Sequence, residues 1–124
     1  MREIILPIKP VYAELILNGT KKVEYRKWIP SCGLPFKVMI YSSHPVKKVV
    51  GSFIVNEVIK ATPEEIWMQT NEIGGIHKDS FFAYFENQTE AYAFKISDVV
   101  FYNPTRCLNE YGLTEAPQRF TYIK

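Results

Sequence analysis

The chain has 124 residues, 47% of them hydrophobic and 15% aromatic, with a net charge of +2 and a pI near 8.5. This composition excludes a disordered chain, and the length suits one domain over residues 1–124 with a core of its own. The slight positive balance excludes a nucleic-acid binder that works through its overall field, so an anion site must gather its charge locally.

Residues 4–8 are apolar and β-branched and predict a first strand. Pro10 suits the first turn of a helix, Val11, Leu15 and Ile16 fall on one stripe of it, and Gly19 fits its C-terminal cap. Lys22 to Arg26 alternates polar and apolar side chains, as a strand does, and two prolines and a glycine make 29–35 a loop. Phe36 to Tyr41 reads as a buried strand and Ser42 to Pro45 as a turn. Val46 to Ile59 is a long β-rich stretch in which Gly51 marks a bulge or kink.

Thr62-Pro63-Glu64-Glu65 is a helix start, with a threonine cap, proline in the first position and acids in the first turn. Ile66, Trp67 and Thr70 continue that helix and Gly74-Gly75 ends it. A second helix is expected over Lys78–Phe85 with Phe81, Phe82 and Phe85 toward the core. Ala91–Ile96 is a further strand that Val99–Tyr102 extends, Pro104–Leu113 is loop or a short helical turn, and Phe120–Ile123 is the last strand. The sum is α+β with strands dominant. Five or six strands and no regular strand–helix alternation predict a small, mostly antiparallel closed β-barrel flanked by helices.

Cys32 and Cys107 are expected as free thiols, since two distant cysteines build no structural zinc site. His44 and His77 stand alone and read as surface residues, so neither a metal nor a cofactor is expected. No apolar run approaches the roughly 20 residues that span a bilayer. Proline breaks Met1–Pro7 too early for a signal peptide, which makes the cytoplasm the expected compartment.

The chemistry concentrates where the first helix meets the next strand, at Lys21, Lys22, Glu24 and Arg26. Lys21 follows a helix C-terminus, whose dipole favours a cation. Glu24 and Arg26 are two apart and share one face of a strand, where arginine can fork onto phosphate or a base edge and glutamate can accept from a base amino group. Strict alternation places Lys21 on the opposite face, so it converges with Glu24 only from within the turn. Lys9 precedes the helix and can reach the same place, and Ser43, with Tyr41 and Ser42, ends a strand in donors suited to an anion. Phe81, Phe82, Tyr84, Phe85 and Trp67 are expected in the core rather than stacked on bases.

These residues also carry a resemblance. Ile8-Lys9-Pro10-x-Tyr12-Ala13-x-x-Ile16-x-x-Gly19-x-Lys21-x-x-Glu24-x-Arg26 resembles the signature of ASCH domains, members of the PUA-like superfamily. The likeness continues through Tyr41-Ser42-Ser43-x-Pro45-Val46-Lys47-x-Val49-Val50-Gly51, Glu90-Ala91-Tyr92-Ala93 and Pro117-Gln118-x-Phe120. It implies a barrel with a pocket beside the first helix that binds RNA or a nucleotide-like ligand through Lys9, Lys21, Glu24, Arg26, Ser43 and Gln118. Some small members of the family are amidohydrolases of N4-acylated cytidine that pair the lysine with a threonine three residues on and a distant glutamate. Here Lys21 is kept, Glu24 holds the threonine position, Lys22 follows Lys21, and only Glu72 lies near the place of the distant glutamate. On that alternative Lys21 assists proton transfer and Glu24 acts as base or orients water.

Overall fold

In a computed structural model that describes residues 1–123, six strands form one sheet in the order β2-β5-β4-β3-β1-β6. The strands are β1 (Arg2–Ile8), β2 (Val23–Arg26), β3 (Phe36–Ser42), β4 (Lys48–Ala61), β5 (Ala91–Arg106) and β6 (Thr121–Tyr122). Three helices accompany them: α1 (Pro10–Leu17), α2 (Pro63–Thr70) and α3 (Lys78–Tyr84), with a 3-10 turn at Leu108–Tyr111.

The expected closed barrel is corrected to an open sheet. Among the described residues β2 and β6 stand at opposite ends of the ladder and do not pair. The free side of the chain entering β2 is taken instead by a loop, through Lys22 N–H donating to the Ile73 carbonyl at 2.8 Å. β6 is two residues long and pairs only Ile4 and Ile5. The sheet is also mixed, because β1 and β3 run parallel from Arg2 beside Phe36 to Ile8 beside Ser42. The chain between them supplies the long crossover that a parallel pair needs.

Several boundaries differ from the expectation for local reasons. Val11 is exposed, and α1 buries Ala13 and Ile16. Leu15 is only partly covered, since the sheet touches a narrower face of the helix than the apolar stripe suggests. Pro104 sits inside β5, where the pairing jumps from Gly51–Phe101 to Val49–Arg106 and the ladder asks nothing of its missing N–H. Gly51 lies at that irregularity, and a Cβ there would meet the Val100 carbonyl. Thr62 caps α2 as expected, accepting from the Glu65 N–H at 3.2 Å.

Three apolar clusters hold the molecule together. The first joins β1, β3, β4 and β5 to α1 through Ile4, Leu6, Ile16, Phe36, Phe53 and Phe94, with Trp28, Phe120 and Tyr122 packed on it. The second locks α2 and α3 onto β2 and β5 around Tyr25, Ile66, Phe81 and Phe85. The third lies on the other side of β1 and β3, around Ile5, Met39, Tyr41 and Tyr102. Among the described residues no helix is long and apolar enough to cross a membrane.

Candidate functional site

A cavity of about 380 Å³ opens between the end of β1, the start of α1, β2 and α3. Lys9, Lys21, Glu24, Arg26 and Ser43 line it, together with Tyr12, Tyr25, Ile76, Ser80 and Tyr84.

The floor is a charged cluster almost closed to solvent, with Lys21 2% and Glu24 5% exposed. Lys21 precedes β2, and its N–H donates to the Leu15 carbonyl at 2.9 Å. That turn swings its side chain onto the face that Glu24 presents, so the two converge in spite of strand alternation. Lys21 Nζ lies 3.7 Å from Glu24 Oε1 and donates to the Gly74 carbonyl at 2.5 Å. It also lies over the Tyr25 and Tyr12 rings, at 4.8 and 5.2 Å from their centroids. The other carboxylate oxygen, Oε2, accepts from Arg26 Nη2 at 2.6 Å, and the same nitrogen donates to the Pro7 carbonyl at 3.0 Å.

Two cations on one carboxylate leave the cluster with a net positive charge. Burial holds the Lys21 ammonium below its ordinary pKa; Glu24 opposes that shift and Arg26 adds to it. Arg26 Nε is buried and has no hydrogen-bond partner, which leaves a cavity-lining residue with a donor to spare. A buried donor without a partner costs about 1–3 kcal/mol.

The walls are set by close packing. The Tyr25 hydroxyl shares a 2.7 Å hydrogen bond with Thr70 Oγ1, which ties β2 to α2, and burial pushes its pKa up. Gly74 passes so near Tyr25 that a Cβ would overlap the hydroxyl, and Gly75 adopts φ +62° against the Lys21 side chain. Only glycines let this loop bring its carbonyl onto the lysine. Tyr84 forms the outer wall. Burial raises its pKa, while Arg26 and Arg119 pull the other way.

Of the residues singled out from sequence, the structure brings Lys9, Lys21, Glu24, Arg26 and Ser43 to this one cavity. Lys9 is exposed at its mouth. Gln118 is exposed and does not line the cavity, Tyr41 turns into the third core cluster, and Lys22 and Glu72 face solvent. His44 and His77 are exposed, and Cys32 and Cys107 are unpaired. Sequence reasoning missed Tyr12, Tyr25, Ser80, Ile76 and the Gly74 carbonyl, and it assigned Tyr84 to the core. For Tyr84 spacing gave no signal, because it is three residues from the buried Phe81 and helical periodicity groups the two on one face.

The ASCH domain model matches residues 6–109. The chain belongs to the ASCH domain family. This ASCH domain is 27% identical over 129 residues to an ASCH domain-containing ribonuclease of Zymomonas mobilis, covering 99% of this chain and 85% of that one. It is 29% identical to a large ribosomal subunit protein uL22 of Ureaplasma parvum, of which it spans 39%. The crystal structure of ASCH from Zymomonas mobilis superposes with a TM-score of 0.90 at 25% identity, over 98% of this chain and 87% of that chain. The N-terminal domain of Staphylothermus marinus McrB shares the fold more distantly, with a TM-score of 0.51 at 14% identity.

Proposed function

We propose that this ASCH domain is a cytoplasmic RNA-binding module that seats one nucleotide in the cavity beside α1. The observation that carries the reading is the buried, net-positive Lys21–Glu24–Arg26 cluster on the cavity floor, with an unpartnered Arg26 donor and Lys9 at the entrance. Such a floor suits a ligand that brings negative charge and planar acceptors together, which is what a nucleotide offers. A ribonuclease among the relatives supports RNA as the partner. Arg26 and Lys21 would take the phosphate or a base carbonyl, Glu24 would hold both cations in place, and the Tyr84 and Tyr12 rings would flank the base.

The test is a titration of fluorescent single-stranded RNA with the wild type and Lys21→Met, a replacement of similar length. The wild type should bind with a steep salt dependence, and the variant should lose most of its affinity while keeping its circular dichroism. Equal affinity of the two folded proteins would remove the cavity from RNA recognition. Intact RNA recovered after incubation would mean binding alone, and shortened RNA would mean that the domain also cuts.

A second reading, an amidohydrolase of acylated pyrimidine nucleosides, is favoured by one observation. A lysine whose pKa burial has lowered stands beside a carboxylate in a cavity of about nucleoside size. On it Lys21 transfers the proton and Glu24 orients the water. A panel of N4-acylcytidines assayed for released acid tests it, and no turnover on any member sets it aside.

A further inference from the structure

Beyond the cavity, four exposed cations lie on aromatic rings: Arg106 on Tyr102, a residue of the third apolar cluster, and Lys27, Arg119 and Arg2 on rings of the cavity wall and the first cluster. Lys27 Nζ is 4.7 Å from the centroid of Tyr84, which is itself a cavity wall. The Arg119 guanidinium is 5.6 Å from Trp28, and Arg2 is 4.0 Å from Tyr122. The rings form a continuous row. Arg26 at the cavity lies 6.0 Å from Trp28, Trp28 stacks on Phe120 at 4.8 Å, and Phe120 meets Tyr122 edge-on at 5.3 Å.

Core packing accounts for the rings, since Trp28, Phe120 and Tyr122 all cover the first apolar cluster. It does not account for the cations. Arg2, Lys27 and Arg119 are exposed, and none pairs with a carboxylate among the described residues. Among the described surface cations only Lys60 and Lys95 have acidic partners, Glu90 and Glu57, so what sets this row apart is its continuity with the cavity rather than its lack of pairing. A guanidinium or ammonium held flat on a ring loses little further freedom when it meets a phosphate. The chain has only a small excess of positive charge, and this row holds three unpaired cations leading away from a positive cavity.

We infer that the row is a phosphate-binding track for single-stranded RNA, in which Lys27, Arg119 and Arg2 grip the backbone on either side of the nucleotide seated in the cavity. The inference rests on the RNA reading above and makes the ligand a strand of several nucleotides rather than a free nucleoside. The exposed cations make the contacts, and the rings fix where the cations stand.

The experiment measures binding of uridine monophosphate, a uridine trinucleotide and a uridine hexanucleotide at a series of salt concentrations. The wild type is compared with the combined variant Arg2→Gln, Lys27→Gln, Arg119→Gln. Wild-type affinity should rise about tenfold or more from the monophosphate to the hexanucleotide. The combined variant should bind the monophosphate as the wild type does, but lose the gain with length. Its salt slope should fall by about two, since each phosphate contact on a single strand contributes about 0.7. A second variant, Arg2→Lys, Arg119→Lys, keeps the charge and should keep the salt slope, which separates loss of charge from loosening of the packing around the rings. Affinity independent of length, or a slope unchanged in the combined variant, overturns the track and leaves the cavity reading standing. No binding of any of the three ligands by the wild type overturns both.

Discussion

Burying Lys21 costs free energy that its neighbours only partly return, and the cost is tied to pH. The fold holds its pKa below the ordinary 10.5, so between the lowered value and 10.5 the unfolded chain binds more protons than the native one. Stability contributed by Lys21 therefore rises with pH across that window. Urea unfolding of the wild type and Lys21→Met at stepped alkaline pH should show the difference moving in favour of the wild type as pH rises; a constant difference would refute the linkage. Glu24 is the counterpart, since its one carboxylate pairs with both cations. Glu24→Gln should cost about 3 kcal/mol, the range found when one partner of a buried pair is removed, read as a shift in the urea midpoint. The pairing of Glu24 with Arg26 was legible because strand residues two apart share a face. The arrival of Lys21 was not, because it depends on a turn fixed by the Leu15 carbonyl. The Gly74 carbonyl was invisible for the same reason, being a backbone group brought in from the far side of the domain.

Among the elements, α2 acts as the buttress of the site strand. Its start was readable residue by residue, because the Thr62 cap, Pro63 and the two glutamates all act locally. Thr62→Ala should lower stability by about 1 kcal/mol with little effect on the cavity, measured by thermal unfolding. Tyr25→Phe removes the hydroxyl bridge from β2 to Thr70 and should cost a similar amount. In that variant Thr70 Oγ1 still donates to the Ile66 carbonyl, so α2 itself keeps its helical content by circular dichroism. The long strands were harder to read. β5 runs sixteen residues through three irregularities in its pairing with β4, and a proline sits in one of them. Sequence pattern registers a bulge as an end, because the alternation of side chains slips there.

On the scale of the molecule, the number of strands was legible and the closure of the sheet was not. Alternating apolar stretches count strands, but the order in which they pair is set by the crossover from β1 to β3 and by what covers the last edge. Here a loop covers one end and a strand of two residues finishes the other, so both edges stay short, which limits edge-to-edge pairing. Truncation after Gln118 removes β6 and the Phe120 ring from Trp28 and bares the β1 edge. The shortened protein should melt earlier and scatter more light on standing, with full-length protein as the reference. The position of β2 carries one more consequence. Glu24 and Arg26 lie on a strand whose ladder partner is β5, with Val23 opposite Lys95 and Arg26 opposite Tyr92. Most of the chain must therefore be made before the two residues are placed. Pairings so distant in sequence close late, after the local turns and hairpins have formed. A domain emerging from the ribosome would thus form its β3–β4–β5 ladder first and acquire its charged cavity afterwards, with β6, still further in sequence from its partner β1, closing last.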